Sequence, residues 1–261
     1  MSGLFPMLFL SHGSPENAVE ETDFSRALGR LAVRLPRPKA VLCISAHWTS
    51  PGPLLGSRTD GPLVYDFFGF PPELYRITWP APGQPELASR AAGLLTAWSP
   101  GLDPARGLDH GAWTVLMRLF PSADIPVVQL SLADDLSPQE HARLAVALAP
   151  LREEGVLIAG SGNFTHNLAE ISWEGDEAPP PWAQDFDRAG QAALESGDLS
   201  FFVDAVADSR AGRLRAHPTD DHLLPLLYTA ALAADSGEKP ETVYEGWQNG
   251  SLSMRCHAWG L

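Results

Sequence analysis

Three histidines follow short apolar runs of the sequence, at points where a buried strand would end. His12 comes after the run Met7–Leu10, and His47 comes after Ala40–Ile44. His166 follows a third run through the glycines and amide of "GSGNFTHN". An imidazole binds divalent metals and transfers protons near neutral pH, so histidines repeated in this position are candidates for one reactive site.

Of the remaining five histidines, some are candidates for the same site and others are expected to be structural. His110, in "GLDHGAW", lies between a loop and the start of a candidate helix, in a polar setting. His217 and His222 would occupy different faces of a helix, so at most one of them is expected to bind a metal, and we select His222. We expect His141 to lie on an exposed helix face and His257 in a terminal hairpin, both with structural roles.

The elements that carry these residues alternate between strands and helices. Strand candidates are Met7–Leu10, Ala40–Ile44, Pro126–Leu132 and Val156–Ala159. Between them lie helical periodicities, one of which opens with a capping box from Ser137 to Glu140 around Pro138. This alternation predicts an α/β fold, with a mainly parallel central sheet flanked by helices on both faces. Ligands of such sheets bind beyond the carboxyl ends of the strands, where we expect the metal site.

The C-terminal part of the chain is predicted to contain a long helix and a hairpin. The helix would begin at 218–221, which places His222 in its first turn. Asp220 or Asp221 could cap this helix or orient a histidine, and we expect capping. Asn249–Gly250 between two short runs predicts a β-hairpin.

Two further segments carry predictions of their own. The stretch "DLSFFVDAVADS" at 198–209 is expected to form a helix. The proline-rich stretch "GDEAPPPW" at 175–182 is expected to be an ordered loop, because an aromatic residue accompanies its prolines.

Composition indicates one soluble, intracellular domain. The chain has 261 residues, 44% of them hydrophobic, so we expect a single catalytic domain over 1–261. A net charge of −14 argues against a nucleic-acid or anionic-membrane partner. Two cysteines are too few for a disulfide framework, and no signal peptide or membrane span is evident, so a cytoplasmic location is expected.

Common site motifs are missing from the sequence. "GSGNFT" begins like a dinucleotide-binding loop, but the third glycine of that motif would fall at Thr165. The sequence contains no Walker motif, no G-x-S-x-G elbow and no H-E-x-x-H pair. The residues by themselves therefore predict a dispersed histidine metal site at the carboxyl edge of a parallel sheet.

Seven segments, taken in order, resemble the class III extradiol ring-cleavage dioxygenases of the DOPA 4,5-dioxygenase type. They are "SHGSP", "SAHW", "YDFFGFPPELYRITWPAPG", "GLDHGAW", "GSGNFTHNL", "HPTDDHLLPL" and "SLSMR". The resemblance extends over 7–255, nearly the whole chain. It implies cleavage of the aromatic ring of a small, DOPA-like catechol with O₂.

The same resemblance implies a role for each of the candidate histidines. His12, His47 and His222 would hold a non-haem metal. His166 matches an active-site histidine that acts as an acid/base or as a fourth ligand, and His110 matches a second catalytic histidine of the pocket. We expect Fe(II) for turnover, while three histidines would also hold Zn(II) in the protein as purified.

Substrate contacts are expected from Asn163, Tyr65 and Trp48. The aromatic residues of "YDFFGFPP" could equally line the wall of the substrate pocket or pack in the hydrophobic core. Two other functions remain open. A zinc-dependent hydrolase would use the same histidines without O₂, and a non-catalytic metal-binding protein would turn over no catechol. The natural catechol and the oligomeric state are not predicted.

Overall fold

The computed structural model describes residues 3–173, 178–203 and 211–261. Within them, eight strands form a central sheet in the order β4-β3-β5-β2-β6-β1-β10-β7, and β8 and β9 form a separate pair. In chain order the strands are β1 (Met7–Ser11), β2 (Ala40–Ser50), β3 (Leu54–Gly56), β4 (Gly101–Asp103), β5 (Val127–Ala133), β6 (Val156–Gly162), β7 (Glu241–Tyr244), β8 (Trp247–Gln248), β9 (Leu252–Ser253) and β10 (Cys256–Trp259).

The sheet is mainly parallel, as predicted. Strands β5, β2, β6 and β1 run parallel side by side at its centre. β10 and β7 add an antiparallel edge beside β1, and β3 pairs with β5 antiparallel on the other side. Every residue of β1, β5 and β6 is buried, as expected for central strands that are covered on both faces and mostly apolar in sequence.

Helices cover both faces of the sheet. They are α1 (Asp23–Arg34), α2 (Pro85–Leu94), α3 (His110–Leu119), α4 (Pro138–Ala147), α5 (Pro150–Glu153), α6 (Pro181–Ser196), α7 (Ser200–Val203), α8 (Ala211–Ala216) and α9 (Leu224–Ser236). Leu42 and Ile44 of β2 face the core beneath α2, α4, α6 and α9, whereas Val41 and Cys43 face α1 and α3. This alternation is the two-residue period of a strand buried on both sides.

The start of α4 has the predicted capping box. Ser137 Oγ accepts a hydrogen bond from the amide of Glu140, and the Glu140 carboxylate accepts one from the amide of Ser137. Pro138 follows in the first turn. None of the helices in the described ranges is long and apolar enough to cross a bilayer.

The C-terminal helix starts later than predicted. α9 begins at Leu224, and Pro225 occupies its first turn, where its missing N–H costs nothing. His222 therefore lies in the turn before the helix, not within it. The expected aspartate cap is wrong as well, because no side chain caps this helix.

Two segment predictions are only partly observable. The helix expected over 198–209 is observed at Ser200–Val203 as α7, so it begins two residues later than predicted, and 204–209 lies outside the described residues. In the loop expected over 175–182, residues 175–177 also lie outside them. Pro181–Trp182 already belong to α6, so the loop ends earlier than expected.

The predicted hairpin is confirmed, but it is not where His257 lies. Asn249 and Gly250 join β8 to β9 with positive φ angles of 50° and 75°, as a tight hairpin turn requires. His257 belongs instead to β10 in the central sheet and is fully buried.

His141 is buried rather than exposed, which corrects its predicted position. Its Nδ1 lies 2.9 Å from the Tyr228 hydroxyl and its Nε2 lies 3.2 Å from the Ala133 carbonyl oxygen. Both ring nitrogens are therefore engaged within the protein, which fits the structural role that was expected of it.

Candidate metal centre

The three histidines expected to bind a metal converge at the carboxyl edge of the sheet. His12 follows β1, His47 lies near the end of β2, and His222 comes from the turn before α9. The Nε2 atoms of His12 and His47 are 3.0 Å apart. The ring centre of His222 lies 5.2 Å from that of His12 and 4.9 Å from that of His47. One ligand atom of each ring lies within 4.8 Å of the others, so a single ion can contact all three.

His47 lies in an irregular part of β2, not beyond the end of the strand. The register of β2 against β5 passes from the pair Ile44–Leu130 to the pair Thr49–Leu132. The intervening stretch of β2 is thus longer than the facing stretch of β5 and forms a bulge. Bulges redirect side chains, and this one presents the His47 ring to the site.

A buried carboxylate anchors this bulge to the start of α3. Asp109 is fully buried; its Oδ1 accepts hydrogen bonds from Ser45 Oγ at 2.6 Å and from the amide of Ala112 at 3.1 Å. Its Oδ2 accepts one from Arg106 Nη2 at 3.1 Å. The same Arg106 nitrogen donates to the His47 carbonyl oxygen, also at 3.1 Å. Asp109 therefore caps α3 and, through Arg106, also helps to hold the backbone of His47 in place.

The backbone of His222 lies directly against the end of β6. The amide of Asn163 donates to the His222 carbonyl oxygen at 3.0 Å. A Cβ atom on Gly162 would fall 2.2 Å from that same oxygen, so only glycine allows this approach. The glycine-rich end of β6 is thus a requirement for placing the third histidine.

A serine defines which nitrogen of His12 faces the site. Ser161 Oγ donates to the Gly111 carbonyl oxygen at 2.5 Å and lies 3.0 Å from His12 Nδ1. Because that hydroxyl proton is already committed, Ser161 accepts a hydrogen bond from His12 Nδ1–H. His12 Nε2 is left with a free lone pair.

Carboxylates lie next to Nδ1 of the other two rings, His47 and His222. Asp221 Oδ2 lies 2.5 Å from His222 Nδ1, and Asp66 Oδ2 lies 3.5 Å from His47 Nδ1. An ionised carboxylate only accepts hydrogen bonds, so each Nδ1 carries the proton and each Nε2 has a lone pair. Such outer partners are typical of metal-ligating histidines. Asp221 therefore orients His222 instead of capping α9.

The arrangement fits a divalent metal ion. His222 Nε2 is buried without a hydrogen-bond partner in the described part of the chain, which is costly unless a ligand engages it. Two ligand nitrogens about 2.1 Å from one ion and at right angles are roughly 3 Å apart, as His12 and His47 are. Burial, and then the neighbouring histidines, lower the pKa values of His12 and His222 well below the usual range. All three rings are therefore suited to bind as neutral ligands.

His166 lies flat against His222. The two rings are stacked with centres 3.4 Å apart and planes 3° apart. The chain from 163 to 167, which carries this histidine, is not helical. Burial lowers the pKa of His166 to about 4, with Asp221 opposing and His110 adding to the shift. The ring is thus neutral near pH 7 and able to accept a proton.

His110 is the first residue of α3 and borders the same cluster. Its ring centre lies 4.0 Å from that of His47 and 5.5 Å from that of His12. Its Nδ1 lies 3.0 Å from Asp66 Oδ1. Partial burial acts to raise the pKa of Asp66, but the hydrogen bonds from His110 outweigh it and hold the value at about 2.

Sequence reasoning did not assign Asp66 or Ser161 to the site, and it considered Asp221 as a residue that could orient a histidine but expected it to cap a helix. Asp66 stands alone among the aromatic residues of "YDFFGF", and Asp221 directly precedes a candidate ligand. An acidic residue isolated in an aromatic run is the one local signal that distinguishes Asp66.

The three residues predicted to contact the substrate already make contacts within the protein. Asn163 is fully buried, and its Oδ1 accepts from the amide of Gly13 at 3.2 Å. The Tyr65 hydroxyl donates to the Ile77 carbonyl oxygen at 2.6 Å. Trp48 is buried beneath the guanidinium of Arg106, 5.1 Å from its ring centre. A substrate oxygen that accepts a hydrogen bond from the Tyr65 hydroxyl would have to replace the bond to Ile77.

Gly111 allows the first turn of α3 to touch the histidines, and replacing it with alanine is expected to weaken metal binding. Its Cβ would fall 2.6 Å from Ser45 Oγ and 2.8 Å from His47 Cδ2. The measurement is a Zn(II) titration against a competing chelator. Gly29→Ala is the control, because nothing lies within 4 Å of its Cβ. It should stabilise α1 by about 0.5–1 kcal/mol and leave affinity unchanged. Equal affinity in both variants would contradict this role of Gly111.

Fold and site together describe an α/β protein in which three histidines that could hold a metal ion converge at the carboxyl edge of the sheet, with further buried histidines beside them. Comparison with known proteins agrees. Residues 5–254 match the family described as the catalytic LigB subunit of aromatic ring-opening dioxygenase.

Relatives cover nearly the whole chain. The 4,5-DOPA dioxygenase extradiol of Escherichia coli K12 is 41% identical, covering 95% of this chain and 92% of that protein. The protein of the same name from Beta vulgaris is 39% identical, with 94% and 92% covered. The crystal structure of an uncharacterized protein from Escherichia coli K12 superposes with a TM-score of 0.84 at 36% identity, covering 97% of this chain and 99% of that one.

The chain belongs to this family of aromatic ring-opening dioxygenases. It is an extradiol ring-cleaving dioxygenase, an oxidoreductase that acts on an aromatic substrate with O₂. The predicted α/β fold, reaction class and family are confirmed, and no finding favours the hydrolase or the non-catalytic binding protein.

Proposed function

We propose that this enzyme opens the ring of a DOPA-like catechol at a non-haem metal held by His12, His47 and His222. The observation that carries the proposal is the convergence of one ligand nitrogen from each of three histidines. Nδ1 of His12 and of His222 is held by a hydrogen bond, and Nδ1 of His47 lies 3.5 Å from the Asp66 carboxylate. The names of the Escherichia coli and Beta vulgaris relatives support a catechol of the DOPA type.

Fe(II) is the metal proposed for turnover, and Zn(II) is expected to occupy the same histidines when it is available. A bound divalent iron supplies open positions for two catechol oxygens and O₂, and it lowers the pKa of the catechol hydroxyls. The donor set itself does not choose between the two ions, because three neutral imidazoles suit both.

His166 is proposed to be the acid/base residue. Its neutral ring is stacked on His222, one of the proposed ligands, with the ring centres 3.4 Å apart. From there an imidazole nitrogen accepts the proton that a catechol hydroxyl loses on binding, and returns it later in the reaction. This stacked position also leaves open the alternative that His166 is a fourth ligand.

His110 is proposed to hydrogen-bond a substrate oxygen. Its Nδ1 is occupied by Asp66, so a neutral ring offers Nε2 as the acceptor. The ring of Phe67 stands edge-on to His110 with centres 5.5 Å apart and provides a flat apolar wall next to it. An aromatic ring bound between them would meet both a polar and an apolar surface. Contacts from Asn163, Tyr65 and Trp48 stay predictions.

Anaerobic reconstitution tests the proposal. Metal-free enzyme is loaded with Fe(II) or with Zn(II), mixed with DOPA, other catechols or tyrosine, and then exposed to air. We expect O₂ uptake and a yellow ring-opened product with Fe(II) and a catechol, and neither with Zn(II) or with tyrosine, which lacks the second hydroxyl. Absence of O₂ uptake by the iron-loaded enzyme across the catechols would contradict the proposed substrate class. Activity with Zn(II) but without O₂ would point to hydrolysis.

A further inference from the structure

One carboxylate outside the proposed ligand set lies between two histidines of the site. Asp66 Oδ1 is 3.0 Å from His110 Nδ1, and Asp66 Oδ2 is 3.5 Å from His47 Nδ1. The backbone amide of His110 also donates to Oδ1 at 3.0 Å. The carboxylate of Asp66 therefore faces Nδ1 of His47, a proposed metal ligand, and Nδ1 of His110, which is proposed to contact the substrate.

The loop that carries Asp66 is tied to the start of α3. The amide of Val64 donates to the Leu108 carbonyl oxygen at 2.7 Å, and Trp113 Nε1 donates to the Val64 carbonyl oxygen at 3.1 Å. These bonds lie on both sides of His110 along the chain. The carboxylate is thus held in place by the same element that carries His110, so its position is set before a metal or substrate binds.

We infer that Asp66 is a positioning residue that holds His47 and His110 in the same tautomer and couples metal binding to the substrate-facing histidine. The inference rests on the proposed roles of these two histidines. A carboxylate has only acceptor atoms, so both rings keep their proton at Nδ1. Nε2 of His47 is then free for the metal, and Nε2 of His110 is free for a substrate hydroxyl.

A direct ligand role for Asp66 is the competing interpretation. His47, Asp66 and His110 also offer three ligand atoms within 4.8 Å of one another. However, Oδ1 of Asp66 already accepts two hydrogen bonds from His110, and Nε2 of His47 already faces His12 at 3.0 Å. The geometry is therefore that of a carboxylate hydrogen-bonded to His110 and in close ionic contact with the Nδ1 side of His47. Metal stoichiometry separates the two interpretations, because a second ion would bind only if Asp66 is a ligand.

The test uses two variants of Asp66 and one matched control. Asp66→Ala removes the hydrogen bonds from His110 and the carboxylate contact with His47. Asp66→Asn keeps the shape but has one acceptor oxygen and one donor nitrogen, so it can hold only one of the two rings with its proton at Nδ1. Asp60→Asn makes the same charge change in the same loop, at a side chain that is 79% exposed and paired with Arg58.

The first readout is Zn(II) affinity of the metal-free protein, measured by chelator competition. We expect affinity to fall about 10–100-fold in Asp66→Ala, as is typical when an outer partner of a ligating histidine is lost. Asp60→Asn should bind like the parent protein. Unchanged affinity in Asp66→Ala would overturn the inference. So would binding of two ions by the parent protein and of one ion by Asp66→Ala.

The second readout is the tautomer of each histidine, from ¹⁵N–¹H correlation spectra of the metal-free protein. Both His47 and His110 should carry the proton at Nδ1 in the parent protein, and one of them should lose this preference in Asp66→Asn. Unaltered spectra in both Asp66 variants would overturn the inference. Neither readout requires catechol turnover, so failure of the proposed function and failure of this inference are distinguishable.

The third readout is kinetic. At saturating Fe(II), kcat of Asp66→Ala should remain below that of the parent enzyme, because alanine accepts no hydrogen bond from His110 even when the metal site is full. Full recovery of kcat at high Fe(II) would contradict the coupling of the two rings, since Asp66 would then act on metal binding alone.

Discussion

Replacing His222 with alanine is expected to abolish ring cleavage by removing one of the three nitrogens that converge on the proposed metal. His222 Nε2 is buried and has no other partner in the described residues. Loss of a ligand should weaken Zn(II) and Fe(II) binding by more than the roughly 10–100-fold that loss of an outer partner costs. The measurements are metal content after dialysis against a chelator, and O₂ uptake with a catechol.

His217 in the same segment provides the control. It is also buried, but its Nε2 lies 3.0 Å from the Phe164 carbonyl oxygen and it does not belong to the group of converging nitrogens. His217→Gln is expected to lower the melting temperature while retaining one equivalent of metal. If His222→Ala binds metal as tightly as His217→Gln does, His222 is not a ligand.

Replacing His166 with alanine is expected to reduce kcat by about 10²–10⁴-fold, the usual cost of losing a general acid/base. His166 lies beside the ligands, and its low pKa keeps the ring neutral and ready to accept a proton. Metal content should stay close to that of the parent protein, because the three ligands and their Nδ1 partners remain. The rate is followed as O₂ uptake and product absorbance at saturating Fe(II).

His166→Phe separates proton transfer from stacking. Phenylalanine keeps a flat ring against His222 but has no nitrogen, so this variant should be as slow as His166→Ala. Added imidazole should partly restore the rate of the alanine variant, because it can enter the space left by the ring. A phenylalanine variant that turns over at the parental rate would show that His166 acts by packing alone. Loss of metal from both variants would indicate a fourth ligand.

Much of the scaffold follows from local features of the sequence. The fully apolar runs before His12 and within "GVLIAG" predict strands buried on both faces, and they form β1 and β6 side by side. Because parallel strands end at one edge, the convergence of histidines that follow them could be predicted without coordinates. The hairpin at Asn249–Gly250 was predictable for a similar reason, since its turn depends on two adjacent residues.

Local rules failed where contacts with distant segments decided the outcome. The period of the apolar residues gave no sign that α9 would begin only at Leu224, nor that His47 would lie in a bulge whose form depends on pairing with β5. His141 has charged neighbours in the chain, yet it is buried because it meets Tyr228, 87 residues away.

The sequence by itself determined the layered fold, the edge at which chemistry occurs and the histidines gathered there. Only the tertiary structure decided how those histidines are oriented. His12 is held by Ser161, 149 residues away, and His110 by Asp66, 44 residues away. Backbone periodicity is a property of neighbouring residues, whereas a hydrogen bond to an imidazole is set by whichever group folding brings within about 3 Å. The protonated nitrogen of each ring, and with it the capacity to bind a metal, is therefore settled by tertiary structure.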